Sequence, residues 1–178
     1  MKSRVQSVFD NSDKKIDAFI IVNSDNPNLD PNFFYLSGIT SGVFEGCTII
    51  GRKNGKGHLI TSQLEEPIAR KETKLKISVF EKRDERKEQI KELLSGISTL
   101  GINGRNLSYK QYKTIKKLTK AKIIDISDAF SKTRSIKGKD EIKLISNACK
   151  ISSQVAKEFP NYIKQSVTEK QLSNKLVE

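Results

Sequence analysis

Few residues of the types that carry catalysis stand at useful spacings in this chain. The single histidine, His58, has no carboxylate near it at the spacing of a metal site, and one histidine cannot build a multi-ligand zinc centre. Cys47 and Cys149 lie far apart inside apolar segments, which favours two buried thiols over a disulfide or a metal pair. We therefore predict a structural or surface role for His58 and unpaired, buried cysteines.

Motifs for nucleophilic catalysis and phosphate binding are also missing from the sequence. No serine lies in a Gly-x-Ser-x-Gly segment, and the glycines around Arg52 and Lys56 fall in a predicted hairpin instead of a strand-to-helix loop. The acidic pairs Glu65-Glu66 and Asp140-Glu141 stand at predicted helix starts, where carboxylates complement the helix dipole. The sequence thus predicts no self-sufficient active site.

The chain is strongly basic, with a formal net charge of +12 from 33 Lys and Arg against 21 Asp and Glu. Such a balance favours nucleic acid or an acidic surface as a partner. The lysines are nevertheless scattered, and the densest set shares one helical face at positions 110, 113, 117 and 120. We expect a solvated helix face without a base-stacking platform, so that any nucleic-acid binding is weak and non-specific.

Composition indicates a cytoplasmic protein. Only 35% of the residues are hydrophobic, and no apolar run reaches the roughly 18 residues that a membrane span needs. The first ten residues lack the apolar core of a secretory signal. We predict no membrane association.

Strand-like and helix-like segments alternate along the chain. The predicted strands are 18–22, 47–50, 58–61, 75–80, 99–102 and 123–126, and the predicted helices are 2–11, 31–36, 62–72, 84–94, 108–120, one from 128, and 138–159. Asp30 and Gly38 are the expected cap and stop of the short helix 31–36. The segments Ser62–Glu65 and Ser108–Gln111 match the capping-box pattern, and Asn54–Gly55 marks a hairpin. One antiparallel hairpin followed by strands separated by helices predicts an α/β fold with a mixed sheet.

The helix predicted over 138–159 carries an unusually wide apolar face. One stripe contains Ile142, Ile145, Cys149, Ser152, Ala156 and Phe159, and an adjacent one contains Leu144, Ala148, Ile151 and Val155. Such a face is expected to be buried against another domain, or else to pair with a second copy of itself. The sequence ends in the middle of another helical pattern, so we expect this region to open a second domain that is completed beyond Glu178.

A resemblance to a known family connects these pieces. The segment 32–38, Asn-Phe-Phe-Tyr-Leu-Ser-Gly, resembles the Asn-x-x-Tyr-Leu-Thr-Gly segment in the N-terminal domain of creatinase, prolidase and aminopeptidase P. Segments 16–21, 100–103 and 107–112 resemble strands and a helix of the same domain. Segment 134–148 resembles its junction with the metallopeptidase domain, and 166–172 is similar to the Gly-x-Thr-Glu-x-Glu-Leu helix start there, with Ser166 in place of glycine.

The resemblance implies a fold, a domain division and a function of the longer protein. Residues 1–132 would form a ribonuclease-H-like α/β/α domain, and 133–178 the linker and first helices of an incomplete pita-bread metallopeptidase domain. That domain binds two divalent metals, Mn, Co or Zn, through two Asp, one His and two Glu. Residues 160–178 contain neither Asp nor His, so no catalytic or metal-binding residue carries over to this chain.

The resemblance also implies partners and candidate contact residues. Family members form homo-oligomers, commonly dimers, and act on proline-containing peptides, with loops of the N-terminal domain beside a neighbouring subunit's site. The candidates for a substrate-rim or subunit contact are Phe33, Phe34, Tyr35 and Phe44. The alternative for Phe33 and Tyr35 is burial in the core, because large aromatic side chains are mostly well buried.

We therefore expect an accessory domain, serving oligomerisation and substrate gating, of an enzyme that hydrolyses the bond before proline, with this chain inactive alone. One alternative is a creatinase-like amidinohydrolase as the longer protein. Another is a non-enzymatic peptide- or histone-binding module of the same fold. A basic nucleic-acid-binding domain is a third.

Overall fold

The computed structural model describes residues 3–24 and 29–175 and divides the chain into two compact units, Met1–Ser135 and Ile136–Glu178. Among the described residues, the strands of the first unit are β1 (Ala18–Val22), β2 (Thr48–Arg52), β3 (Gly57–Ser62), β4 (Lys76–Phe80), β5 (Thr99–Ile102) and β6 (Lys122–Asp125). The helices in the same described part of the unit are α1 (Arg4–Asp10), α2 (Pro31–Ser37), α3 (Glu66–Glu72), α4 (Arg83–Leu93), α5 (Tyr109–Leu118) and α6 (Ser127–Ser135).

The strands form one mixed sheet in the order β4-β3-β2-β1-β5-β6. Strand β2 pairs antiparallel with both β1 and β3, whereas the β1–β5, β3–β4 and β5–β6 pairs are parallel. In the central register Ile20 of β1 lies opposite Ile50 of β2 and Ile102 of β5. Only β2 therefore runs against the other five strands, and the prediction of an α/β fold with a mixed sheet is confirmed.

Alternation along the central strands creates two cores. Phe19 and Ile21 of β1 face the cluster that also contains buried residues of α1, α2, α3 and α6. Ala18 and Ile20 face the opposite cluster, which contains buried residues of α4 and α5. A strand buried on both faces must be apolar at consecutive positions, which accounts for the uninterrupted Ala-Phe-Ile-Ile-Val sequence of β1. The result is a three-layer arrangement with helices on both faces of the sheet.

Local sequence signals place most of the element boundaries. The Asp30 side chain accepts the backbone N–H of Asn32, and Gly38 ends α2 in a left-handed conformation with φ of 74°. Ser108 and Gln111 form the predicted capping box of α5. In the β2–β3 hairpin the N–H of Gly55 bonds to the carbonyl of Arg52, and Gly55 has φ of 76°. These predictions are confirmed. Each feature depends on contacts within a few residues, which is why the sequence alone could indicate it.

The capping box predicted for Ser62–Glu65 is wrong. Ser62 is the last residue of β3, α3 begins four residues later at Glu66, and the Glu65 position makes no side-chain cap hydrogen bond. The Glu65 carboxylate instead bonds to a loop that lies more than twenty residues earlier in the chain. The tertiary contact thus replaces the local one that the sequence pattern indicates.

The second unit contains α7 (Lys139–Glu158), a 3-10 turn (Phe159–Tyr162) and α8 (Glu169–Lys175). The Glu141 carboxylate accepts the N–H of Gly138 at 2.9 Å and so starts α7. All residues of α7 are described and none is buried, so the prediction of a buried Cys149 thiol is wrong: this thiol is exposed. Over the described residues, no helix combines the length and apolarity needed to cross a membrane.

The position that departs from the family pattern has a distinctive backbone. Ser166, which stands where the resembling segment has glycine, adopts φ of 71°. Two residues later Thr168 forms a capping box with Gln171: the Thr168 N–H donates to Gln171 Oε1 at 2.9 Å, and Thr168 Oγ1 accepts the Gln171 N–H at 3.3 Å. A left-handed conformation disfavours any residue with a Cβ atom, which explains why glycine suits this helix start.

Candidate functional site

The carboxyl ends of the five co-directional strands meet at one edge of the sheet, where β2 begins. The connections found there include the loop after β1, the segment 39–47 between α2 and β2, and the segment 103–107 after β5. In open α/β sheets this edge is where binding loops are usually placed. It is therefore the first place to look for a functional site in this domain.

A buried polar cluster joins the first and last of these connections. Asn23 follows β1, Asn103 follows β5, and both are almost fully buried together with Asp30. The N–H of Asp30 donates to Asn23 Oδ1 at 2.9 Å, and Asn103 Nδ2 donates to Asp30 Oδ2 at 3.0 Å. Since burying unpaired polar groups is costly, these mutual bonds fix the ends of β1 and β5 relative to α2.

The same cluster explains the Asn-x-x-Tyr-Leu-x-Gly pattern. Asp30 Oδ1 accepts both the backbone N–H and the side-chain Nδ2 of Asn32, each at 2.8 Å. The asparagine thus completes the cap of α2, while Gly38 closes its other end. Between them, Tyr35 donates its hydroxyl to the carbonyl of Thr133 in α6 at 3.3 Å. The motif therefore seats α2 and starts the next loop at a fixed point.

That next loop, residues 39–46, is the edge loop of the domain. It is flanked or interrupted by three glycines with positive φ, Gly38 (74°), Gly42 (82°) and Gly46 (70°). Phe44 also has positive φ, 55°, although its side chain is completely buried. Such a conformation is unfavourable for a phenylalanine, so the surrounding contacts must hold it in place.

Two carboxylates from opposite ends of α3 supply those contacts. Glu72 Oε2 accepts the N–H of Thr40 at 2.7 Å and its hydroxyl at 3.0 Å, and Glu72 Oε1 accepts the Ser41 hydroxyl at 2.6 Å. Glu65 Oε1 accepts the N–H groups of Val43 at 3.3 Å and Phe44 at 2.8 Å. Hydrogen bonds from Ser41 and Thr40 lower the pKa of Glu72 below its ordinary value, so the carboxylate stays ionised.

The end of the edge loop is held from the opposite layer. The Arg86 guanidinium on α4 donates to the Gly46 carbonyl, and the N–H of Gly46 donates to the carbonyl of Asn23. Beside it, Cys47 is buried with Sγ 3.5 Å from Thr61 Oγ1. Burial raises the pKa of the Cys47 thiol, which keeps it protonated and unreactive. The prediction of a buried thiol holds for Cys47.

The four aromatic candidates occupy different positions around this loop. Phe33 and Phe44 are fully buried, with ring centroids 5.8 Å apart. Phe34 and Tyr35 are half-buried, and the Arg4 guanidinium lies 4.5 Å from the centre of the Tyr35 ring. Phe33 and Phe44 thus lie beneath the loop and support it, and the contact role of the four aromatic residues stays a prediction.

The apolar side chain that the edge loop does present is Val43, which is 41% exposed. Its exposure could not be seen in the sequence, because a valine in a glycine-rich loop carries no distinguishing signal. The burial of the neighbouring Phe44 in the folded structure shows which side chains of the loop point into the core and which point outward. Val43 and the polar backbone of residues 40–42 therefore form the outer surface of the candidate site.

The described part of this arrangement does not supply a metal site. Within residues 3–24 and 29–175, no three His, Cys, Asp or Glu side chains are grouped as metal ligands, so the described chain does not fit the two-metal site of the family. His58 Nε2 lies 2.7 Å from Ser78 Oγ on the neighbouring strand, and burial lowers the pKa of this histidine. A neutral histidine bonded to a serine across two strands agrees with a structural role.

The lysine face of α5 differs from expectation in one respect. Tyr109, at the start of this face, is 74% exposed, and Lys113 Nζ lies 5.4 Å from the centre of its ring. The prediction that this face has no aromatic side chain for base stacking is therefore wrong. The sequence pattern does not indicate that the Tyr109 ring is exposed, because the residue stands at the helix start, immediately after the capping serine.

Comparisons with known proteins agree with the fold and the motif. The sequence profile described as Creatinase/Prolidase N-terminal domain matches residues 10–136. A Xaa-Pro dipeptidase of Pyrococcus furiosus is 32% identical over 146 residues, which are 82% of this chain and 40% of that protein. The chain thus spans well under half the length of this relative.

Two solved structures of relatives superimpose on nearly the whole chain. The prolidase from Pyrococcus horikoshii OT3 does so with a TM-score of 0.77 at 27% identity, over 97% of this chain and 46% of that one. The Xaa-Pro dipeptidase from Bacillus anthracis does so with a TM-score of 0.80 at 25% identity, again over 97% of this chain and 46% of that one. The resemblance inferred from the sequence is therefore confirmed, and the chain belongs to the creatinase/prolidase N-terminal domain family.

Proposed function

We propose that this chain is the accessory N-terminal part of a Xaa-Pro dipeptidase or aminopeptidase that hydrolyses the bond before proline. The observation that carries the proposal is the extent of the likeness: a prolidase aligns with 97% of this chain, through both compact units. Residues 1–132 would be the accessory domain, and 133–178 the linker and first helices of the metallopeptidase domain. The natural setting of such an enzyme would be the cytoplasm.

The role proposed for the domain is oligomerisation and substrate gating. In support, the edge loop is held in a fixed shape by Glu65 and Glu72, and it presents Val43 at the surface. A preformed loop loses little conformational entropy when it contacts a peptide or a second subunit. The half-buried Phe34 and Tyr35 stay in the proposal as secondary contact residues, with the buried rings of α2 and the edge loop as their support.

The chemistry would come from metals held by residues outside this chain. Manganese, cobalt or zinc in the longer protein would supply an activated water. The residues of this chain would position the loop and the subunits, and we expect the 178-residue chain alone to be inactive.

Release of free proline from Xaa-Pro dipeptides tests this proposal. The chain alone, supplied with manganese, cobalt or zinc, should release none, whereas the product of the complete reading frame should release proline in a metal-dependent manner. Val43→Asp in the complete protein should lower proline release or dissociate the oligomer, and Leu64→Asp, at an exposed position outside the edge loop, is the matched control. Metal-dependent turnover by the purified chain alone contradicts the proposal.

The alternatives predict different results with the same complete protein. A creatinase-like amidinohydrolase would release urea from creatine and no proline from dipeptides. A peptide- or histone-binding module would bind its ligand without turnover of either substrate. No described residue specifically favours these alternatives, so the peptidase is the first activity to assay.

A further inference from the structure

The helix α5 is unusual among the surface helices of the first unit in its charge. From residue 106 to 124 the sequence contains six lysines and no Asp or Glu. All six lysine side chains are exposed, and in the part of the chain that the structure describes none of them makes an ion pair. The six are Lys110, Lys113, Lys116, Lys117, Lys120 and Lys122.

The neighbouring helix α4 is balanced in a way that α5 is not. On α4, Lys87 pairs with Asp84 at 2.7 Å and Lys91 with Glu88 at 3.6 Å. On α5, Lys113 instead has one lysine three residues before it and two more three and four residues after it. Like charges at these spacings destabilise a helix. A helix that keeps this repulsion where acidic residues could relieve it indicates a surface made for an anionic partner.

The face carries one aromatic side chain at a defined place. Tyr109 is 74% exposed at the first turn of α5, with Lys113 beside its ring. Lys110, Lys113, Lys117 and Lys120 follow along the same side of the helix and the turn after it. A line of cations that begins at an exposed ring is the arrangement that binds single-stranded nucleic acid, since phosphates follow the cations and a base stacks on the ring.

A lipid surface fits these residues less well. Membrane-surface helices insert an apolar face, whereas the apolar residues of α5 are committed to the protein core: Ile115 is buried, and Tyr112 and Leu118 pack against the same cluster. Base-edge recognition is also unsupported, because the exposed face presents lysines and no Arg or Asn fork.

We infer that the Tyr109–Lys120 face binds single-stranded nucleic acid through its phosphate backbone, without sequence preference. This activity is separate from the proposed peptidase function and does not depend on it. Four lysines that each neutralise one phosphate of a single strand give a salt slope near about −2.8, so that affinity should fall roughly 50-fold between about 50 and 200 mM salt.

Fluorescence anisotropy of a labelled oligothymidine of about 20 nucleotides, longer than the roughly 4–16 that one binding site covers, tests the inference on the full chain. The variant K110Q/K113Q/K117Q/K120Q should lose most of the binding at about 50 mM salt together with the salt slope. The control K56Q/K71Q/K74Q/K76Q removes the same charge from exposed lysines elsewhere and should keep both. Tyr109→Ala should weaken binding by roughly 5- to 100-fold while the slope stays unchanged.

Several results would overturn the inference. One is equal loss of affinity in both quadruple variants, which would mean that only net charge attracts the oligonucleotide. Another is unchanged binding by Tyr109→Ala, and a third is an absence of binding by the unmodified chain at about 50 mM salt. Co-sedimentation with phosphatidylserine vesicles in place of oligonucleotide binding would assign the face to a membrane surface. Thermal melts of every variant confirm that all are folded.

Discussion

Glu65 accepts the backbone N–H of Phe44 at 2.8 Å, a contact between residues 21 positions apart. The bond holds Phe44 at a positive φ of 55° while its ring is buried against Phe33. Val43 directly precedes Phe44. The bond that turns Phe44 inward therefore leaves the Val43 side chain facing outward. One carboxylate thus links the start of α3 to the shape of the edge loop.

The Glu72 carboxylate should make stability depend on pH. Its pKa is lowered by hydrogen bonds from Ser41 and Thr40, so its contribution is complete above the ordinary glutamate pKa of about 4.3 and is lost as pH falls through the lower pKa of the folded state. Glu72→Gln should therefore lower the melting temperature at neutral pH and have a shrinking effect as the pH is lowered below that ordinary value. Glu66→Gln, which removes a partly exposed ion pair with Arg70, is the control. A loss that stays the same across this range would contradict the assignment.

Phe44 should contribute more to stability than Phe34, although both are aromatic neighbours of Phe33. Phe44→Ala empties a fully buried position and should cost about 3–5 kcal/mol of unfolding free energy. Phe34→Ala removes a half-buried ring and should cost clearly less. Urea unfolding of the two variants measures the difference, and a reversed order would mean that the edge loop does not depend on Phe44.

The buried polar cluster should be sensitive to loss of its acceptor. Asp30→Ala leaves Asn32 and Asn103 without the carboxylate they bond to, which should cost about 3 kcal/mol. Asp128→Ala breaks only an exposed pair with Arg105 and should cost less than about 1 kcal/mol. Chemical denaturation distinguishes the two, and comparable losses would show that Asp30 is not the centre of the cluster.

Ser166→Gly should stabilise the start of α8. The serine holds φ of 71°, a conformation that costs a residue with a Cβ atom about 1–2 kcal/mol relative to glycine. Amide hydrogen exchange at Gln171 and Leu172 should slow in the variant, because their helix start forms more often. The control Ser153→Gly lies within α7, where glycine destabilises the helix interior. This variant should speed amide exchange in α7. Faster exchange in the Ser166 variant would contradict the prediction.

The apolar face of α7 should promote self-association of the isolated chain. Leu144 and Ile151 are 69% and 66% exposed, and Ile145 is 49% exposed. Exposed apolar area of this kind favours burial against another copy. The double variant Leu144→Lys and Ile151→Lys should lower the weight-average mass measured by sedimentation equilibrium at high protein concentration. The control double variant Lys143→Gln and Lys150→Gln should not lower it. An unmodified 178-residue chain that stays monomeric at all concentrations would contradict this prediction.

Patterns among near neighbours were enough to predict several elements of the fold. Strand β1 follows from an apolar run, α2 from Asp30 and Gly38, and α5 from the Ser108–Gln111 box, since each is stabilised by contacts within a few residues. The family was also readable from the Asn32–Gly38 motif, because that motif records how α2 is capped at both ends.

Contacts between distant residues, which appear only in the folded chain, set which side chains turn inward. Glu65 stands in a sequence that matches a capping box, yet its carboxylate bonds to Phe44, and no local pattern distinguishes the two uses. Likewise Phe44 is buried and Val43 exposed because distant carboxylates impose an uncommon backbone conformation on the edge loop. A single sequence contains no periodicity that encodes such pairings, since the partners lie far apart along the chain and meet only when the layers pack.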